Sequence, residues 1–377
     1  MVGYDFIDVK LDMTPFMAIA TELNKRDKNF QLDKYDCKQI YLKSVEEHQK
    51  KTSMASSPCE LDSVQKDNLV EYVCECFMAT PYRYNVVTPL EWLKPLGVHK
   101  IGDSTAISEG RRLVFSLFPD NYESYVEINV LMQGYLSYNS ERIFLKNVMR
   151  TLSVLIFMLK QNNILYNSGA YKSTPSAYDT LSGKHKRFLS IKGQATCEKF
   201  NFFDGCISFP VSTSKYLNEL SLTRDFSLLQ VESAKGIVNA SLCASAELLD
   251  NESNEALRVK SAIDWLIQSE INEDETMSFI QICMGLESIF GDNDSDGGLT
   301  NSLADRCAYL IGRNITERKE IKDEFKRMYK VRSKIIHGVK SHLTQNEEDI
   351  KYRAFHYLKK SISREIRNLR EIPERKS

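Results

Sequence analysis

A chain of 377 residues is long enough for two or three domains with ample cores, and 42% hydrophobic with 27% charged residues is an ordinary globular composition. The net charge of −1 excludes a global electrostatic attraction to nucleic acid, so any such contact has to come from local basic clusters. Nine cysteines, an odd number with no secretory pattern ahead of them, argue against a disulfide scaffold and predict free thiols in a reducing, cytoplasmic setting.

The first fifty residues mix short apolar and charged pieces and predict no definite element. Thr52 to Pro58 reads as an exposed loop. Leu61 to Met78 has helical spacing, with Leu61, Val64, Leu69, Tyr72, Val73 and Cys76 near one side. Within it Cys74 and Cys76 form the one tight cysteine pair; no second pair at metal-site spacing accompanies them, so they read as ordinary thiols. Pro81, Pro89 and Pro95 then break the chain into extended segments. Leu113 to Phe118 and Tyr125 to Val130 are short β-branched or aromatic runs around Pro119-Asp120-Asn121, which predicts a hairpin. Glu141 to Gln161 predicts one long helix buried on several sides; its apolar run, Leu152 to Leu159, is too short to cross a bilayer. Asn162 to Gly183 reads as a long loop, and Arg187 to Ile191 and Cys206 to Val211 as strands. This N-terminal part is mixed α and β, with no phosphate-binding glycine loop, nucleophile elbow or metal cluster.

From about residue 234 the texture is helical to the end. The periodicity predicts helices near 234–249, 254–270, 273–290, 299–312, 315–338 and 346–370. Asn272 with Glu275, and Thr344 with Glu347, read as helix starts of the capping-box type. The fold class is therefore α+β, with a mixed region over 1–233 and an all-α domain over 234–377. Asp292 to Gly297 has the opening of a calcium loop, but Leu303 stands where the bidentate glutamate belongs, so a solvated connection is the better reading. His48, His99, His185, His342 and His356 have no partners at catalytic or metal spacing.

One stretch carries chemistry, Tyr329-Lys330-Val331-Arg332-Ser333-Lys334-Ile335-Ile336-His337-Gly338. Ile321, Phe325, Met328 and Ile335 mark the apolar stripe of its helix, and Arg332 falls on that seam. A buried guanidinium is costly unless it pairs or works on an anion. His337 follows by five residues, about 140° around and about 7.5 Å along a standard helix. Gly338 supplies the left-handed residue that ends it. In the predicted helix 273–290 Glu287 interrupts the stripe of Ile280, Cys283 and Phe290, and as a carboxylate on a buried face it is expected to hold Arg306 or Arg332 in place. An arginine fork for phosphoryl oxygens and a nearby histidine for protons are the groups that RNA cleavage by the 2′-hydroxyl needs.

The ten-residue string closely resembles the signature of HEPN domains, and its form, Tyr-x-x-Arg-Ser-x-Ile-x-His-Gly, resembles the Apea-like branch. Ala256 to Trp265, Ser278 to Glu287 and Leu303 to Arg306 resemble that branch in order and spacing, so the resemblance covers roughly the last 140 residues. It implies an all-α bundle and a metal-independent endoribonuclease, without cofactor. Catalysis would fall to Arg332 and His337, with Ser333, Tyr329 and Glu287 in support. It also implies a homodimer in which two such pairs share one cleft, leaving 2′,3′-cyclic phosphate ends. Further implications are abortive anti-phage defence or a toxin system, with cellular RNA as target (tRNA is one candidate). A trigger, phage-derived or cellular, would act through the N-terminal region. The basic residues Lys319, Lys322, Lys326, Arg327, Lys330 and Lys334, or Lys359, Lys360, Arg364, Arg367 and Arg370, are the local clusters that could meet RNA. The rival expectation is an inactive module of the same type, which dimerises or binds nucleotide or RNA and regulates a partner.

Overall fold

Helices take over the end of the chain because its apolar residues recur at three and four, and side-chain caps at Ser253, Asp274 and Asn314 start three of them. In the computed structural model, residues 12–26, 32–52, 61–90, 102–108, 111–119, 124–137, 141–167, 191–291 and 299–371 are described. The fold is α+β with a helical C-terminal region. In chain order the elements are α1 (Thr14–Asn24), α2 (Lys34–Lys51), α3 (Ser63–Met78), β1 (Tyr82–Leu90), β2 (Gly102–Ser108), β3 (Arg111–Pro119) and β4 (Ser124–Gly134). Next come α4 (Glu141–Gln161), β5 (Leu165–Asn167), β6 (Lys192–Cys197), β7 (Gly205–Ser208), α5 (Val211–Glu219), β8 (Leu220–Leu222) and α6 (Arg224–Ser227). The chain ends with α7 (Val231–Asp250), α8 (Asn254–Ile271), α9 (Glu275–Phe290), α10 (Leu299–Ile311), α11 (Ile315–Ile336) and α12 (Glu348–Glu371). Among the described residues no helix is long and apolar enough to cross a membrane.

Contacts divide the chain into two units, Met1–Val86 with Leu131–Asn147 and Gln194–Ile207, and Val87–Val130 with Val148–Gly193 and Ser208–Ser377. In the first, the neighbouring strands run β4, β1, β6, β7, and β6 alternates buried Gly193, Ala195 and Cys197 with exposed residues, the period of a half-covered sheet. Its centre is aromatic: Tyr82 stacks on Phe203 with centroids 4.6 Å apart, and Tyr135 and Phe200 meet the same ring. These rings come from three separated segments, which no local pattern joins. The first fifty residues, which predict no element, hold α1 and α2; the start of α2 is a capping box made by Asp33 and Asp36, with an aspartate where glutamate or glutamine is usual. In α3 only the last turns pack: Val73, Cys76 and Phe77 are buried, whereas Val64, expected on the buried side, is 65% exposed.

In the second unit β3 pairs antiparallel with β2 and β4, Phe115 standing opposite Ile128, which is the expected hairpin with one strand more than the sequence showed. α4 spans the predicted residues and is buried continuously from Thr151 to Leu159. Residues 206–211 form less strand than expected: β7 ends at Ser208, and Pro210, unable to donate to a ladder, caps α5 instead. The six C-terminal helices fall close to their predicted ranges, and α12 packs on α8, α9, α10 and α11. Asn272 does not start α9; it ends α8, and Asp274 accepts from the Met277 N–H. Thr344 and Glu347 do form a capping box, around a 3₁₀ turn over Gln345–Glu347 that leads into α12. Expectations for Arg187 to Ser190, Asp120 to Asn121, Asp292 to Gly297, His99 and His185 lie outside the described residues.

Candidate functional site

The site grows from the packing of α11 on α9. Ile321, Phe325 and Met328 of the expected stripe are buried, joined by Tyr329 and Val331, while Ile335 is half-buried because the last turn leaves the core. Tyr329 lies face to face with Phe325, centroids 4.8 Å apart and rings 10° from parallel, and its hydroxyl reaches the Cys283 carbonyl at 3.5 Å. Burial pushes the Tyr329 hydroxyl and the Cys283 thiol up, so both stay protonated. Tyr329 is thus a wall of the site, and its ring is not available to stack on a base.

Glu287 sits in the last turn of α9, its carbonyl accepting the Gly291 N–H at 2.7 Å. A carboxylate there faces the negative end of the helix dipole and needs a cation. Of the two candidates the structure selects Arg332: its Nη2 lies 3.1 Å from Glu287 Oε1 and donates to Oε2 at 3.3 Å. Arg306 instead donates from Nη1 to the Phe290 carbonyl at 2.8 Å, satisfying the same helix end. The side chains of Arg332 and Glu287 are 27% and 26% exposed. Arg332 Nε and Glu287 Oε1, both buried atoms, make no hydrogen bond of their own. The guanidinium is therefore held through Nη2, and its Nε donor is buried without an acceptor.

His337 is the C-cap of α11, its N–H bonded to the Ser333 carbonyl at 3.0 Å, and Gly338 follows at φ +69, the left-handed residue expected there. Ser333 and His337 are exposed. The structure brings together Arg332, Glu287 and Tyr329; among the described residues no hydrogen bond ties the His337 ring or the Ser333 hydroxyl to that group. Beyond the helix end, Lys340 pairs with Glu347. Within reach of the same surface, Ile336 is 50% and Val339 75% exposed.

Compared with models of protein families, with curated proteins and with solved structures, the chain matches none. The site has to be read from its own groups. Among the described residues no three His, Cys, Asp or Glu side chains come together as a metal-binding group. Sequence reasoning missed one polar network in the second unit: Lys160 donates to Glu270 at 2.6 Å and to the Tyr216 hydroxyl at 3.0 Å, and Tyr216 donates to Glu270 at 2.6 Å. These residues lie 54 to 110 positions apart, so no spacing signal could have joined them.

Proposed function

We propose that the chain is an endoribonuclease of the HEPN type, which cleaves cellular RNA through Arg332 and His337 at a site completed by a second copy. The observation that carries this reading is the half-buried Arg332, fixed by Glu287 through Nη2, three residues before the half-buried Ile335 and five before the exposed His337. A guanidinium already anchored through Nη2 and still 27% exposed meets a phosphate with less loss of rotamer freedom than a free one.

The chemistry is internal transesterification. The 2′-oxygen attacks phosphorus, the bond from phosphorus to the 5′-oxygen breaks, and Arg332 neutralises the charge that builds on the non-bridging oxygens. One proton leaves the 2′-hydroxyl and one reaches the departing 5′-oxygen, giving a 2′,3′-cyclic phosphate and a 5′-hydroxyl with no co-reactant. A single imidazole cannot take and give a proton in the same step. Two copies supply two, one as base and one as acid, which is why this reading requires a symmetric dimer. The exposed Ile336 and Val339 beside His337 offer apolar area for such contact. A role in abortive infection or a toxin system, with the N-terminal region receiving the trigger, belongs to the same proposal.

The test is a cleavage assay on total cellular RNA with a chelator present, comparing the wild-type chain with His337→Ala and Arg332→Ala and identifying the ends. Cutting by the wild type alone, with cyclic-phosphate ends, is expected. If neither substitution changes RNA integrity while the protein still dimerises, the inactive binding-module reading replaces this one.

A further inference from the structure

The α11 helix carries more than the site at its end. On a standard helix Lys319, Lys326, Lys330, Ser333 and His337 fall within about 40° of one line. All five are exposed. The strip also holds Asp323, and Glu320 lies to one side of it with Arg327 and Lys334, so cations outnumber carboxylates along its length. Five other lysines of the second unit are matched, Lys322 with Asp305, Lys160 with Glu270, Lys215 with Glu273, Lys340 with Glu347 and Lys351 with Glu275, whereas Lys235, Lys334, Lys359 and Lys360 make no ion pair among the described residues. Lys319, Lys326 and Lys330 make no ion pair among the described residues. Three unmatched cations in one row, on the helix that ends at an exposed histidine, are placed for a polyanion that runs along the helix.

We infer that this strip is the track along which a single RNA strand reaches His337. The inference rests on the nuclease reading and adds the form of the substrate and the direction from which it arrives. One row of charges on a convex helix matches one phosphate backbone, and the strip extends over about 27 Å from Lys319 to His337 at 1.5 Å per residue. A duplex is the poorer fit for a chemical reason as well. A-form stacking holds the 2′-oxygen out of line with the bond it must displace, and an unpaired nucleotide can rotate into line. No aromatic side chain stands on the strip, so the track grips phosphate and leaves the base unread.

The test uses the full chain carrying His337→Ala, so that bound RNA stays whole, and follows binding of a labelled single-stranded oligoribonucleotide and of its duplex across a salt series. The single strand is expected to bind in preference. K319Q/K326Q/K330Q should make the slope of log affinity against log salt shallower by about 2, three contacts at roughly 0.7 each. The comparison set K360Q/R364Q/R367Q on α12 should leave the slope unchanged. Equal losses from both sets, preference for the duplex, or binding of anionic vesicles in place of RNA would overturn the track. A parallel cleavage assay separates the two proposals. His337-dependent cutting that ignores the α11 triple overturns the track and leaves the nuclease standing; triple-sensitive single-strand binding by a wild-type chain that cuts nothing does the reverse.

Discussion

Arg332 and Glu287 constrain each other because each is costly alone. Both side chains are roughly three-quarters buried, and two of their atoms already make no hydrogen bond, so removing either residue leaves a charge with no compensation. Glu287→Ala is expected to lower the free energy of unfolding by about 1–3 kcal/mol in urea titration. The pair Arg332→Met with Glu287→Leu should lose less than the sum of the single changes, since neither charge is then stranded. Arg332→Lys separates packing from chemistry: the cation remains but the planar fork is gone, so cutting should fall far more than stability does. The motif announced Arg332 as significant. That Glu287 pairs with Arg332 and not with Arg306 followed from which turn of α9 faces α11, a distance that spacing along the chain does not contain.

At the scale of elements, α9 carries Gly285 in mid-helix, where glycine has low propensity, and the reason is tertiary. A Cβ there would meet Leu358 Cδ2 at 2.6 Å and Cδ1 at 3.1 Å, with Trp265 Cβ at 3.4 Å, and Leu358 is fully buried. Gly285→Ala should therefore destabilise by about 1–3 kcal/mol in thermal or urea unfolding, against the gain that helix propensity alone predicts. Leu358→Ala should cost less in the Gly285→Ala background than in the wild type, because the new methyl occupies part of the space it frees. The approach to α12 offers a pH test. Burial works to raise the Glu347 carboxyl, but bonds from Lys340 and Thr344 outweigh it and hold the group at about 2 against an ordinary 4.5. A folded value below the unfolded one means the stabilisation is complete above about 4.5 and is lost as pH falls toward 2. Glu347→Gln should accordingly lower the melting temperature at pH 7, with the difference from wild type shrinking between those two values. The helices of the C-terminal region were legible because each buries one stripe at a period of 3.6. The exact starts were less so: Asn272 and Asp274 both suit an N-cap, and only the hydrogen bond to Met277 decides for Asp274.

At the scale of the whole molecule, the proposed chemistry needs two imidazoles, and each chain brings one such site. Mixing the wild-type chain with an excess of one carrying His337→Ala should then suppress cutting by more than simple dilution when the two exchange subunits, because a mixed dimer retains only one imidazole. Specific activity should also fall on dilution, with sedimentation reporting monomer over the same concentrations. Activity that is linear in concentration and unaffected by mixing would mean that one chain suffices.

By itself the sequence determined the class of the fold, the six C-terminal helices, the long buried α4, the β3 and β4 hairpin, and the arginine and histidine at the end of α11. All of these are local: a period, a cap, or a residue type out of place in its own stripe carries the signal. Only the tertiary structure decided that Arg332 pairs with Glu287, that Tyr329 is core, that the aromatic centre of the first unit forms from Tyr82, Tyr135, Phe200 and Phe203, and that Gly285 has to be glycine. Those depend on which faces meet across tens to hundreds of residues, and the energy of such meetings is set by packing, which one-dimensional spacing does not record.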